Sequence, residues 1–321
     1  MLFWIYWPEM SRDNLKSFCL NGGMQSFPIR FCALFLVFTF SVIGADKDRA
    51  IDIRMHRPSK LGEKFRLTLK ASMELETERH VGSRSEKDKE AFDTDFTGVV
   101  TVLKTTKGGG RAKVAIVVEK FMITEDGFKF EGLPKGTRLI ASLKDREVVF
   151  AEALEGQKDG KPLSAGIELQ ALQQVIGLDN EGDATDDDIF GSKEKRKVGD
   201  KWPVNKKNAI EDFRKDDIRI DADRFKGETE LAGVVKVKGI ECYRLTGSFD
   251  AKQFQPPVPR GFRVQESGLT AKYAGSFPID TKLPELETTV DIRMYFRASL
   301  RNVELEFDRR LKKDITVTPL N

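Results

Sequence analysis

Residues 65–76 read Phe65-Arg66-Leu67-Thr68-Leu69-Lys70-Ala71-Ser72-Met73-Glu74-Leu75-Glu76, and apolar and polar side chains alternate there without a break. In an extended chain, successive side chains point to opposite sides. A period of two therefore places one face in a core and the other in water. The same alternation recurs where Val290, Ile292, Met294, Phe296, Ala298 and Leu300 are separated by Asp291, Arg293, Tyr295, Arg297 and Ser299. Strands buried on one face belong to antiparallel sheets, because parallel strands are usually covered on both sides.

Working outward, short polar or glycine-bearing turns divide further strands. Gly108-Gly109-Gly110 separates Gly98–Thr105 from Ala112–Thr124, and Asp126-Gly127 opens another hairpin. Lys144-Asp145 divides Thr137–Leu143 from Glu147–Glu152. Lys238-Gly239 joins Leu231–Val237 to Glu241–Phe249, and Arg301-Asn302 leads into Val303–Phe307. Such connections are hairpin chemistry. One helix is expected from Leu163 to Leu178, capped by Ser164, with Glu168 in its first turns and Gly177 at its end. A shorter helix is weakly signalled from Asn208 to Arg214.

Two sequence words recur. Gly62-Glu63-Lys64-Phe65 is echoed by Gly199-Asp200-Lys201-Trp202, and Gly98-Val99-Val100-Thr101-Val102 by Gly233-Val234-Val235-Lys236-Val237, at spacings of 36 and 34 residues. Repeated words in the same order point to repeated units. The expected fold is mainly β: antiparallel meander sheets in two related β units, with one helix, about 163–177, in the connection. The first unit with its helix spans 46–178, an acidic-then-basic linker 179–197, and the second unit 198–321. Trp202 is expected to anchor the second core as Phe65 does the first.

The N-terminus carries a different signal. Arg30 precedes the apolar run Phe31–Ile43, and Gly44, Ala45 and the charged Asp46-Lys47-Asp48-Arg49 follow it. That is the layout of a secretory signal peptide. The apolar run has 13 residues, whereas a helix needs about 20 to span a bilayer. The expectation is a signal peptide over 24–45, cleaved after Gly44 or Ala45, preceded by a non-native extension over 1–23. Cleavage removes Cys19 and Cys32 and leaves Cys242 without an internal disulfide partner. An exported, periplasmic or extracellular protein follows, with no stable transmembrane span after cleavage.

The segment Lys197-Val198-Gly199-Asp200-Lys201-Trp202-Pro203-Val204 resembles the VGDxW signature of uncharacterised secreted bacterial proteins, a family of unknown function. The resemblance implies a first β unit, a helical connection and a second β unit. It implies no activity, ligand or site.

The 54 basic and 51 acidic residues leave a formal net charge of only +3. They are interspersed, which argues against a nucleic-acid partner, where basic residues cluster. No catalytic, cofactor or metal residue is assigned. His56 and His80 stand in polar contexts and read as surface histidines. Ser192 and Lys195 match S-x-x-K, but the S-D-N and K-T-G elements of that hydrolase group are missing. Asp179, Glu181, Asp183, Asp186, Asp187 and Asp188 offer oxygen ligands for Ca²⁺ without the EF-hand spacing; Asp186–Asp188 equally suit a cap on a turn through Ile189-Phe190. Cys242 lies in a strand and reads as structural, and Gln255–Gly261 as a stiff loop. Three function classes remain. The first is a non-enzymatic binding or scaffold protein of the envelope, with a carrier of lipid or another apolar ligand as its sub-case. The others are a carboxylate-based hydrolase or lyase and a Ca²⁺-stabilised module.

N-terminal sequencing of the exported product should begin at Ala45 or Asp46. A product that still contains Phe31–Ile43 would make the segment an anchor.

Overall fold

The computed structural model describes residues 49–153 and 160–320. The expected extension and signal peptide, with Cys19 and Cys32, lie outside the described residues. Thirteen strands form the architecture: β1 (Lys64–Val81), β2 (Arg84–Thr105), β3 (Arg111–Glu125), β4 (Phe128–Glu131), β5 (Arg138–Lys144), β6 (Glu147–Glu152), β7 (Lys161–Pro162), β8 (Lys201–Pro203), β9 (Phe225–Val237), β10 (Ile240–Lys252), β11 (Arg263–Pro278), β12 (Glu287–Leu300) and β13 (Val303–Leu320). The helices are α1 (Ile167–Val175), α2 (Asp186–Phe190) and α3 (Lys206–Lys215).

All strands pair antiparallel in one open sheet of order β7-β6-β5-β3-β2-β1-β13-β12-β11-β10-β9-β8, with β4 attached to β3. The two units expected from the sequence are thus halves of a single sheet. The first half runs from the centre to one edge. The chain then crosses through the helices to β8 at the other edge and works back to the centre. There β13 pairs with β1 at every position from Lys64↔Leu320 to Val81↔Val303.

The alternation read at 65–76 has its expected consequence. Phe65, Leu67, Leu69, Ala71 and Met73 are buried, while Arg66, Lys70 and Glu74 are exposed. The outer face carries cross-strand ion pairs, including Arg66 Nε–Glu119 Oε2 at 2.8 Å, Arg293 Nη2–Asp308 Oδ2 at 2.6 Å and Arg297 Nε–Glu306 Oε1 at 2.9 Å. Exposed pairs of this kind contribute little stability. They occupy the solvent-facing side chains that the alternation leaves outside the core.

The inner face carries two main apolar clusters. One joins β1, β2, β3, β5 and β6 to Ala171, Leu172 and Val175 of α1. The other joins β9–β13 to Ile189 and Phe190 of α2 and to Ala209, Ile210 and Phe213 of α3. Ile51, Ile53 and Met55, which precede the first half in sequence, pack into the second cluster.

The repeated Gly-acid-Lys-aromatic words form two turns of one geometry. Gly62 and Gly199 both have positive φ, 80° and 94°, a region open to glycine because it lacks Cβ. The amide of Gly62 donates to Val102 O, and that of Gly199 to Leu231 O. Glu63 and Asp200 each accept a side-chain hydrogen bond from the amide three residues earlier, that of Lys60 and Lys197. Phe65 and Trp202 are buried, each beneath a guanidinium, with Arg111 5.4 Å and Arg196 5.3 Å from the ring centres. The second pair of words is not equivalent in register. Val102 closes the first turn from the end of its word, whereas Leu231 lies before Gly233.

Several boundaries differ from the sequence expectation. Helix α1 starts at Ile167, with Gly166 at its N-cap and no side-chain cap bond, so Ser164 caps nothing. The reason is upstream: the Leu163 amide bonds Phe150 O and is held to the sheet. Helix α3 runs longer than expected because Asn205 caps it, accepting from the Asn208 amide. Within the expected linker 179–197, Ile189 and Phe190 are buried, so this part of the stretch packs into the core while most of the rest stays at the surface. The first part of β2, Arg84–Lys89, gives no strand signal because its side chains face solvent nearly throughout. It is extended because it pairs with the end of β1.

Leu69 is fully buried at the centre of the sheet. Leu69→Ala should cost about 2–5 kcal/mol, from lost burial and the cavity left behind. Thr68→Ala, on the outer face, should stay within about 0.5 kcal/mol. Urea denaturation of both variants measures the contrast.

Candidate functional site

Between the inner face and the chain that crosses it lies a cavity of about 300 Å³. Its floor is built by the sheet alternation: Phe65 and Leu67 come from β1, and Ile315 and Val317 from β13. Val175 and Ile176, at the end of α1, form a wall. These side chains are apolar because they continue the first core cluster. The rim is charged and includes Arg57, Arg111, Arg146, Asp183, Asp212 and Asp216.

The rim is held by specific bonds. Arg57 Nη2 donates to Pro278 O at 2.7 Å and to the Tyr243 hydroxyl at 3.3 Å. That hydroxyl also accepts from the Arg54 amide and donates to Arg54 O, so the 54–57 segment is tied to β10. Burial pushes the Tyr243 phenol up to about 12. Lys215 Nζ sits between Asp183 Oδ1 at 2.8 Å and Asp212 Oδ1 at 3.2 Å. Burial raises Asp183, but hydrogen bonds from Lys215 and Asn180 outweigh it and hold the carboxyl below the usual range. Asp216, just past α3, lies against Asp212 and Asp183, and burial with these like charges pushes it up to about 6. Glu285, also on the cavity wall, is raised by burial.

The carboxylates of the acidic stretch are spread over separate structural tasks. Asp179 Oδ2 accepts from the Arg111 amide at 2.9 Å, and Glu181 Oε2 from the Lys107 amide at 3.1 Å. Asp187 Oδ1 accepts from the Met55 amide at 2.6 Å. Asp188 closes a capping box with Thr185 at the start of α2. Thr185 is therefore the N-cap, and Asp186–Asp188 form the first turn through Ile189-Phe190. Among the described residues no group of three His, Cys, Asp or Glu is placed to hold a metal ion.

Of the remaining sequence candidates, His56 lines the cavity and the others lie elsewhere. His56 Nε2 lies 2.8 Å from Gly108 O, while His80 lies 3.3 Å from Glu78 on the far part of β1. Ser192 Oγ donates to Glu194 O and accepts from Arg196 Nε, so it is a loop fastener. Cys242 is fully buried, and burial pushes its thiol up to about 11, away from thiolate chemistry. In the Gln255–Gly261 loop, Gln255 pairs with Arg219 as an isolated bridge. Trp202 packs in the second cluster and donates from Nε1 to Phe190 O at 2.8 Å. The sequence did not reveal the cavity, because its floor residues look like any core-facing alternation and its rim is assembled from distant segments.

Among the described residues no helix is long and apolar enough to cross a membrane. No protein-family model matches the chain, and no curated protein sequence matches it. Two solved structures bear a weak likeness. One is a LolA-superfamily protein from Nitrosomonas europaea, at 11% identity over 83% of this chain and 90% of that one, with a TM-score of 0.15. The other is an outer membrane channel from Pseudomonas putida, at 7% identity over 83% of this chain and all of that one, with a TM-score of 0.17. Superpositions this poor carry no information about activity.

Asp216 offers a direct test of the rim electrostatics. A carboxyl with a raised pKa binds more protons in the folded state, so its contribution to stability is lost as pH rises from about 4 through about 6. Asp216→Asn removes that loss. The variant should be more stable than the parent at pH 7, with the difference vanishing below pH 4, as measured by urea denaturation at both pH values. No gain at pH 7 would show that Asp216 titrates normally.

Proposed function

We propose that the protein is an exported, non-enzymatic binding protein that holds a small amphiphilic ligand between its sheet and its helices. The cavity carries this reading: an apolar floor of Phe65, Leu67, Ile315 and Val317 beneath a charged rim. Ligand sites are mostly apolar concavities with a few placed polar groups, and about 300 Å³ is the lower end of their range. Burying a methylene contributes about 0.8 kcal/mol, so such a floor favours an alkyl or aryl body. The charged rim suits a polar end.

Helix α1 closes one wall of the site, held to the sheet by Ala171, Leu172 and Val175. A hydrolase would need two carboxylates free to act on a substrate. On this rim Asp183 and Asp212 share Lys215, which serves as a strut, and burial holds Asp216 and Glu285 toward the neutral acid. Export is supported by the Arg30–Ala45 segment, and the periplasm or the extracellular space is the compartment that follows from it.

Mild purification followed by mass spectrometry should find a co-purifying amphiphile. An environment-sensitive naphthalene dye should bind the purified protein, and Val317→Phe, which projects a ring into the cavity, should weaken that binding about tenfold or more, roughly 1.4 kcal/mol. Unchanged dye affinity in a variant that melts as the parent does would overturn the reading.

A further inference from the structure

The inward-facing positions of β13 are Leu305, Phe307, Arg309, Leu311, Lys313, Ile315 and Val317, and two of these seven are cationic. They sit where the two main apolar clusters meet. Leu305 and Phe307 belong to one cluster, and Leu311, Ile315 and Val317 to the other. Lys313 is one inward position beyond Ile315, which forms part of the cavity floor. Its ammonium donates to Gln174 O at 3.0 Å, and Gln174 precedes the cavity-lining Val175.

Lys313 lies between Ala71 of β1 and Val290 of β12, and two buried polar groups close to it are short of partners. In the register, Ala71 of β1 faces Lys313 on one side and Thr94 of β2 on the other. Ala71 is the smallest inward side chain of β1, so it leaves room over the sheet between them. Thr94 is 2% exposed, and its hydroxyl has no partner; Gln174 is 7% exposed, and its Oε1 has none. Assignment of the amide oxygen and nitrogen follows the hydrogen bonds, and Nε2 has only Met73 Sδ at 3.8 Å. Among the described residues no carboxylate pairs with Lys313. The nearby charge is Arg309, of the same sign. Burial, and then Arg309, push the Lys313 ammonium down to about 8. Part of the residue's surface stays accessible, and the group lies just behind the cavity lining, next to Val175 and Ile315.

We propose that the ligand of this cavity is an acid, and that Lys313, Thr94 and Gln174 receive its anionic group. This rests on the cavity being a ligand site. A buried cation without a counter-charge is costly, and an oxyanion removes that cost. An ammonium has three donors, a hydroxyl one and an amide two, so the cluster supplies donors to a carboxylate or phosphate. The alkyl body then lies along Ile315, Val317 and Leu67 toward the rim.

Displacement of the bound dye by decanoate, decanol, decylamine and acetate separates the alternatives. Decanoate should displace it at concentrations at least tenfold below decanol or decylamine, and acetate should not compete. Lys313→Met should abolish the preference for decanoate and leave decanol unchanged, while Lys313→Arg should keep it. As a readout independent of any variant, the NMR titration midpoint of the Lys313 side chain should rise from about 8 when decanoate binds. Decanol binding as well as decanoate, a preference that survives Lys313→Met, or an unmoved midpoint would overturn the inference alone. Acetate competing as well as decanoate would make this a small-anion site and overturn it too. Failure of the dye and of all three decyl compounds to bind would instead overturn the cavity as a ligand site.

Discussion

The ladder between β1 and β13 joins the two ends of the described chain, and everything on the inner face depends on it. Lys64 pairs with Leu320 and Val81 with Val303, without a register shift between. Every inward side chain of β1 therefore has a fixed neighbour on β13. A slip of one residue would turn the whole apolar set of a strand to water. The same register places Leu67 beside Val317 in the cavity floor and sets Ile315, also in the floor, beside Leu69. It also places Ala71 beside Lys313.

One-faced burial explains the division of labour across the sheet. The outer face spends its polar side chains on cross-strand ion pairs such as Arg66–Glu119 and Arg293–Asp308. The inner face must be covered, and among the described residues the chain that links the two edges covers it, together with the 51–57 segment and the loop of Phe254, Val258 and Phe262. These pieces are short. Helices of nine, five and ten residues cannot cover a sheet this wide. They dock over the two apolar clusters and leave space between, which is where the cavity forms. The opening is a consequence of too little helix for too much sheet.

Charges at the opening follow the same geometry. The acidic stretch from Asp179 to Asp188 fastens the crossing chain to its surroundings, with Asp179 on Arg111, Asp187 on Met55 and Asp188 on Thr185. Its carboxylates thus act as clamps on backbone amides. Lys215 ties that stretch to α3 through Asp183 and Asp212. Asp216, buried beside its like-charged neighbours Asp212 and Asp183, is left with a raised pKa.

Much of the fold was legible in local sequence. The alternation at 65–76 and 290–300 located the long strands and their inward faces. Asp126-Gly127 and Lys238-Gly239 located hairpins, since both residues of each take positive φ. The twin Gly-acid-Lys-aromatic words announced two turns of one geometry. These features are short-range: they depend on side-chain period and on what a backbone angle permits. Strands such as Arg84–Lys89 were hidden because their conformation is imposed by a partner strand. The candidate site was hidden for the same kind of reason. Leu67, Val175 and Val317 are ordinary core residues until the β1–β13 pairing and the crossing of α1 bring them around one space. Lys313 reads as one more charge in a charged strand. Only the register, which sets it facing Ala71 on the inner side, makes it a half-buried cation. Sequence alone determined which residues alternate and where the chain turns; the tertiary structure decided which strands meet, because pairing between distant segments depends on contacts that no local pattern encodes.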